Sequence, residues 1–220
     1  RYSKNPPWVL KNINLKITRG MRIGFIGATG SGKSTLLDVI MGLTQPTKGE
    51  VVVDNKVITV INRQAWRRHI AHVPQSIYLS DNSIEENVAF GIPKDEINKK
   101  RVEKSIKQAK IDELIGESKD GYQAIVGEQG VRLSGGKCQR IGIARALYKQ
   151  TDILVFDEAT SALDNNTERA VMKEVSELKR DLTVLIIAHR LSTLKNCDRI
   201  IRINNNGSVD VGTYDEMINS

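Results

Sequence analysis

Nine residues constrain this chain more than any others: GATGSGKST at positions 27–35. They fit G-x-x-x-x-G-K-[ST], a glycine-rich loop whose backbone amides cradle phosphate. Such a loop is built between a buried strand and a helix, so that the phosphates meet the helix N-terminus. The flanking text meets that demand. RIGFI at 22–26 is strand-like, then Leu36, Leu37, Ile40 and Met41 follow at helical spacing, and Gly42 is placed to end the helix. Gly27, Gly30 and Gly32 let the backbone wrap closely where a side chain would collide. Ala28, Thr29, Ser31 and Thr35 complete the cradle. Lys33 can reach the β- and γ-phosphates, and Ser34 can offer its hydroxyl to Mg²⁺, an ion suited to few protein oxygens plus phosphate.

The rest of the chain alternates between strand and helix patterns. Residues 9–26 alternate apolar with polar around Gly20, which reads as two strands joined by a turn. Residues 46–54 read as a turn and a short β-branched strand, and residues 70–73 as another strand. From about residue 83 to 119 the text is helical and charged. Residues 134–149 read as a helix, 152–156 as a strand, 167–180 as a helix and 183–188 as a strand. That alternation implies a parallel sheet with crossover helices. Asn205-Asn206-Gly207 between residues 200–203 and 208–211 signals a closing hairpin.

Composition narrows the class. With 220 residues, 40% hydrophobic and 27% charged, the chain is ordinary globular text with room for one sizeable core. No run approaches the roughly 18 apolar residues of a membrane span, so a membrane part, if the protein has one, is expected elsewhere. The first residue is Arg and no leader pattern follows, which reads as a piece of a longer protein. Two cysteines, Cys138 and Cys197, form neither a disulfide framework nor a metal cluster and suit a reducing cytosol. The net charge is +7, and Lys94, Lys99, Lys100, Arg101, Lys104, Lys107 and Lys110 share one segment. They read as a solvated helical face, the alternatives being an anionic membrane surface or nucleic acid. No aromatic residue sits among them to stack on bases.

A buried strand ending in Asp157 and Glu158 would set two carboxylates at the sheet's carboxyl edge, beside the glycine loop. Asp157 suits Mg²⁺, and Glu158 suits accepting a proton from an attacking water. A third element, Leu133-Ser134-Gly135-Gly136-Lys137, opens a helix. Taken with the glycine loop and ILVFDE at 153–158, it resembles the ATP-binding cassette (ABC) family over nearly the whole chain.

The resemblance implies an α/β P-loop fold. Helices would flank a mixed sheet, with an antiparallel β subdomain and a helical lobe inserted at about 83–150. It implies that Gln75 contacts Mg²⁺ and senses the γ-phosphate, and that Ser161-Ala162-Leu163-Asp164 is the loop through which paired copies communicate. It implies that His189 contacts the γ-phosphate, and that Ser134, Gly135 and Gly136 bind the ATP held by a second copy. Tyr2 is placed like the family's adenine-stacking aromatic, with Trp8 its competitor. Lys137 stands where the family usually has Gln. Val126-Gly127-Glu128-Gln129-Gly130 and Ser83-Ile84-Glu85-Glu86-Asn87-Val88 are similar to exporter text.

The expected protein is thus a Mg²⁺-dependent ATPase motor of an exporter, resembling flippases of lipids or lipid-linked oligosaccharides. Lys33, Glu158 and His189 would serve catalysis. It would act as a head-to-tail homodimer, fused to transmembrane domains N-terminal to it. It would lie on the cytoplasmic face of a membrane, the bacterial inner membrane, with no nucleic acid partner. The alternative is a regulatory cassette that binds ATP with little turnover. A chromosome-maintenance cassette would need a long coiled coil between glycine loop and Leu133, for which the chain has no room.

Overall fold

The glycine loop joins β1 (Arg22–Ile26) to α1 (Lys33–Ile40), as its sequence context predicts. The computed structural model describes residues 8–127, 130, 133–160, 162–178, 181–188 and 190–218. The remaining strands of the main sheet are β4 (Ile70–Val73), β5 (Ile153–Asp157), β6 (Thr183–Ile187), β7 (Arg199–Ile203) and β8 (Val209–Gly212). The order β4-β5-β6-β1-β7-β8 makes a six-stranded sheet. β1 pairs in parallel with β6 and β7, while β7 and β8 pair antiparallel across the predicted Asn-Asn-Gly turn. The sheet is therefore mixed, and the fold is that of an α/β P-loop protein.

By its internal contacts the chain divides into two units. The first takes residues 1–70, 152–155 and 181–220. Its core is Phe25, Leu37, Leu185 and Ile201, with Leu36, Met41 and Val155 around them. Leu36, Leu37 and Met41 are all buried, as their spacing predicts, and Gly42 follows in a left-handed conformation (φ 68°) that ends the helix. Truncating Leu37 to Ala would cost about 2–5 kcal/mol. The small antiparallel sheet pairs β2 (Val52–Val53) with β3 (Lys56–Val57). Asp54 and Asn55, both at positive φ, turn it as in a type I′ hairpin, and α2 (Arg63–Arg68) follows it in the chain.

Residues 9–18, expected as the first of two strands, form none. Leu10, Ile13, Leu15 and Ile17 pack against the core by their apolar side, which produced the alternating pattern. The backbone instead runs as an extended strap, tied by Lys11 N–H to the Gly207 carbonyl at 2.7 Å and broken by Asn12 at φ 53°. Period-two burial needs only an extended chain over a core, not a ladder partner.

The second unit takes residues 71–151 and 156–180. It holds α3 (Ile84–Val88), α4 (Lys99–Gln108), α5 (Asp112–Glu117), α6 (Gly135–Lys149) and α7 (Asn165–Ser176). α3 opens on a capping box: the Ser83 hydroxyl accepts from Glu86 N–H, and Glu86 accepts from Ser83 N–H. α4 buries Val102 and Ile106 and leaves Lys99, Lys100, Lys104 and Lys107 exposed, with Lys107 paired to Glu103 at 2.8 Å. Those four lysines thus form the outer face of an amphipathic helix. α6 is the longest helix among the described residues. No helix among them is long and apolar enough to cross a membrane.

Candidate functional site

In the first unit the glycine loop has the shape its motif demands. Gly27 stands at φ 147°, and a Cβ there would lie 2.5 Å from the Ile203 carbonyl oxygen and 2.7 Å from Ser31 Oγ. No other residue fits without moving backbone. Gly30 and Gly32 also hold positive φ, at 79° and 105°. Gly27, Ala28, Thr29 and Gly30 are exposed. Lys33 Nζ folds back over the loop, donating to the Gly27 and Ala28 carbonyls at 2.9 and 3.0 Å. Those bonds hold the ammonium at the loop's mouth. Ser34 and Thr35 follow in the first turn of α1, whose N-cap, Gly32, offers no side-chain cap. Ser31 Oγ is buried and has no hydrogen-bond partner among the described residues.

An uncapped helix N-terminus, an ammonium and an unsatisfied hydroxyl around an exposed glycine loop fit a polyphosphate. Trp8 lines a cavity of about 940 Å³ together with Thr35 and Lys48, and Lys48 Nζ lies 5.7 Å from its ring centroid. Tyr2 and His189 lie outside the described residues, as do Ser161, Glu128 and Gln129.

The second unit carries the other predicted residues. Asp157 closes β5 after three buried apolar residues, Leu154, Val155 and Phe156. Glu158 follows in a left-handed conformation, φ 53°. That turn redirects the chain at the strand's carboxyl end, in a region costly for a residue with a Cβ. Gln75 is exposed, two residues beyond β4. Among the described residues no group of three or more His, Cys, Asp or Glu forms a metal site. Taken singly, Ser34 of the first unit and Gln75 and Asp157 of the second offer hydroxyl, carboxamide and carboxylate oxygens. That donor chemistry fits Mg²⁺.

Ser134 is the N-cap of α6, its hydroxyl accepting from Lys137 N–H at 3.4 Å, and Ser134 and Gly135 are exposed. Lys137 is tied by an ion pair to Glu117 of α5 at 2.8 Å. One turn on, Arg140 pairs with Glu113 at 2.7 Å, so two ion pairs join α5 to the opening of α6. Asp164 is the N-cap of α7, accepting from Asn166 and Thr167 N–H at 3.0 and 3.1 Å. Hydrogen bonds from Thr167 chiefly, then Asn166, hold its carboxyl below the usual carboxylate range.

Sequence reasoning missed three groups. Glu117 neutralises the unusual Lys137, yet sits twenty positions upstream with no local signal. Asn87 is wholly buried and bonds to Ser80 and Ser83, while Arg145 donates to the Asn87 and Tyr78 carbonyls at 2.9 and 3.0 Å over the Phe90 ring. Burial pulls the pKa of that guanidinium down. Gln139, buried on α6, was legible as a polar residue on the face that also carries Ile143.

The ABC transporter family model matches residues 10–161. The chain is 42% identical over 218 residues to the leukotoxin translocation ATP-binding protein LktB of Mannheimia glucosida, covering 99% of this chain and 30% of that protein. It is 43% identical over 218 residues to the alpha-hemolysin translocation ATP-binding protein HlyB of Escherichia coli O157:H7, covering 99% of this chain and 31% of that protein. Among solved structures, a bacterial Atm1-family ABC exporter with ATP bound superposes with a TM-score of 0.89 at 32% identity, covering 96% of this chain and 37% of that one. The chain spans about 30% of the length of the curated relatives it matches.

Proposed function

The chain belongs to the ABC transporter family, and on that premise we propose that it is the ATP-binding and ATP-hydrolysing motor of an exporter. The observation that carries the cassette reading over a generic nucleotide binder is the second glycine turn. Ser134 caps a 15-residue helix that opens on Gly135 and Gly136, and Ser134 and Gly135 are exposed. That turn would serve as a phosphate site for a second copy. Two copies would close head-to-tail as an isologous pair around two ATP molecules, with Asp164 and its loop between them.

In this reading the glycine loop and Lys33 hold and polarise the β- and γ-phosphates. Ser34, Gln75 and Asp157 would hold Mg²⁺, which supplies charge neutralisation on the phosphates. Glu158 accepts a proton from the attacking water, and His189 contacts the γ-phosphate. Tyr2 would stack on adenine. The helical segment at about 83–150 would be the cassette's inserted lobe, and membrane domains N-terminal to the chain would take up the closing and parting of the copies from the cytoplasmic face of a bacterial inner membrane. The flippase reading draws no support from the relatives, so the proposal is confined to the exporter class.

A regulatory cassette is the second reading, favoured by the Lys137–Glu117 pair where the family usually has Gln. The test is ATP turnover against protein concentration, beside Lys33→Ala. Turnover that rises faster than linearly, and falls at least 100-fold in the variant, fits the paired motor. Tight Mg-ATP binding without turnover would favour the regulatory cassette instead.

A further inference from the structure

Gln139 is 5% exposed, and its carboxamide joins three segments of the second unit. Its Oε1 accepts from Ala162 N–H at 3.0 Å, and its Nε2 donates to the Gln75 carbonyl at 3.5 Å. Gln75 belongs to the metal-facing loop, Gln139 to the helix that Ser134 opens, and Ala162 to the loop that runs into Asp164. The glycines of α6 press on the same place. A Cβ on Gly136 would lie 3.1 Å from the Ala162 carbonyl oxygen, and one on Gly135 would lie 3.6 Å from Ala162 Cβ. Ala162 is pinned between two further anchors: Thr160 Oγ1 donates to Glu168 at 2.7 Å on one side, and Asp164 caps α7 on the other.

We propose that Gln139 is a positioning residue for ATP hydrolysis, setting the glutamine loop and the Ala162–Asp164 loop in register with the Ser134 turn. The proposal rests on the motor reading above. Its physical basis is the buried carboxamide, which holds a donor NH₂ and an acceptor oxygen in one fixed plane. The backbone groups it holds belong to exposed residues, Gln75 and Ala162. Water can replace those bonds if Gln139 is lost, so folding suffers little. Water cannot fix the loops' positions, so the geometry of the reacting groups suffers more. Neither Gln75 nor Ala162 belongs to the phosphate loop, which lies in the other unit.

The test is steady-state ATP kinetics of the purified protein with Gln139→Leu and Gln139→Glu, each normalised to folded protein by thermal melting and nucleotide titration. Gln139→Leu removes donor and acceptor at similar volume. Gln139→Glu keeps an acceptor for Ala162 and loses the donor to Gln75. The expected result is a kcat lower by roughly 10- to 100-fold in Gln139→Leu, an intermediate loss in Gln139→Glu, and a KM for ATP within about threefold of wild type. Wild-type kcat in Gln139→Leu overturns the proposal, as does a loss that vanishes on normalisation. If Gln139→Leu does not fold, Gln139→Glu decides by the same criteria. A wild-type protein without turnover would overturn the motor reading separately. ATP-dependent pairing of copies, read by light scattering, then becomes the readout. Pairing weakened in Gln139→Leu sustains the positioning role, and pairing left unchanged overturns it.

Discussion

Gly27 shows how one missing methyl group decides a binding loop. Its φ of 147° and the 2.5 Å approach of the Ile203 carbonyl leave no room for a Cβ. Gly27→Ala should therefore cost about 1–3 kcal/mol of stability and weaken ATP binding at least tenfold, measured by melting and by calorimetric titration. Gly30→Ala is the control. A Cβ at Gly30 meets nothing within 4 Å, so only the backbone cost of φ 79° is felt, about 1–2 kcal/mol. Loss of ATP binding as large in Gly30→Ala as in Gly27→Ala would show that conformation, not the Ile203 contact, shapes the loop. Glu158 is the contrasting case, a side chain kept at φ 53° where glycine would sit more easily. A residue proposed to accept the proton needs its carboxylate, and the backbone strain accompanies it.

At the scale of elements, α3 is short and depends on its ends. Ser83 and Glu86 cap it reciprocally, and the Ser83 bonds, side chain then backbone, hold the Glu86 carboxyl below the usual carboxylate range. The group's folded pKa is depressed. Its contribution is thus present above the unfolded pKa and is lost as pH falls through the folded one. Ser83→Ala should cost about 1 kcal/mol at neutral pH, and the difference from wild type should shrink in acid. Denaturant unfolding at neutral and acid pH checks both, and a gap that widens in acid would refute the assignment. Elements of this kind were legible in the sequence because their signals are local: caps, glycines and apolar spacing gave α1, β4, α6 and the β7–β8 hairpin within a residue or two. Residues 9–18 were misread because burial alone sets an alternating pattern, whereas a strand needs a neighbour that sequence does not name. In the site, the glycine loop and Asp157–Glu158 are each a run of consecutive residues and could be read. The Lys137–Glu117 pair and the Gln139 bridges join positions far apart, and only tertiary placement reveals them.

The whole molecule is proposed to work as a pair, and Glu158→Gln isolates that step. It keeps side-chain volume and hydrogen bonding but cannot take up the proton. With ATP and Mg²⁺ it should bind nucleotide as wild type does, lose turnover at least 100-fold, and run as a dimer in size-exclusion chromatography. A variant that remains monomeric at saturating ATP would refute the head-to-tail pair. The strand order carries a different consequence, for how such a protein is made. β1 ends at Ile26, but the partners on its two sides, β6 and β7, begin only at Thr183 and Arg199. At about 5–20 residues per second, a ribosome delivers those partners on the order of 10 s after β1. Through that interval the apolar strand beneath the phosphate loop has both edges unpaired, the condition in which strands associate with the wrong chain. Productive synthesis of this protein should thus depend on chaperone capacity more than its final stability would suggest.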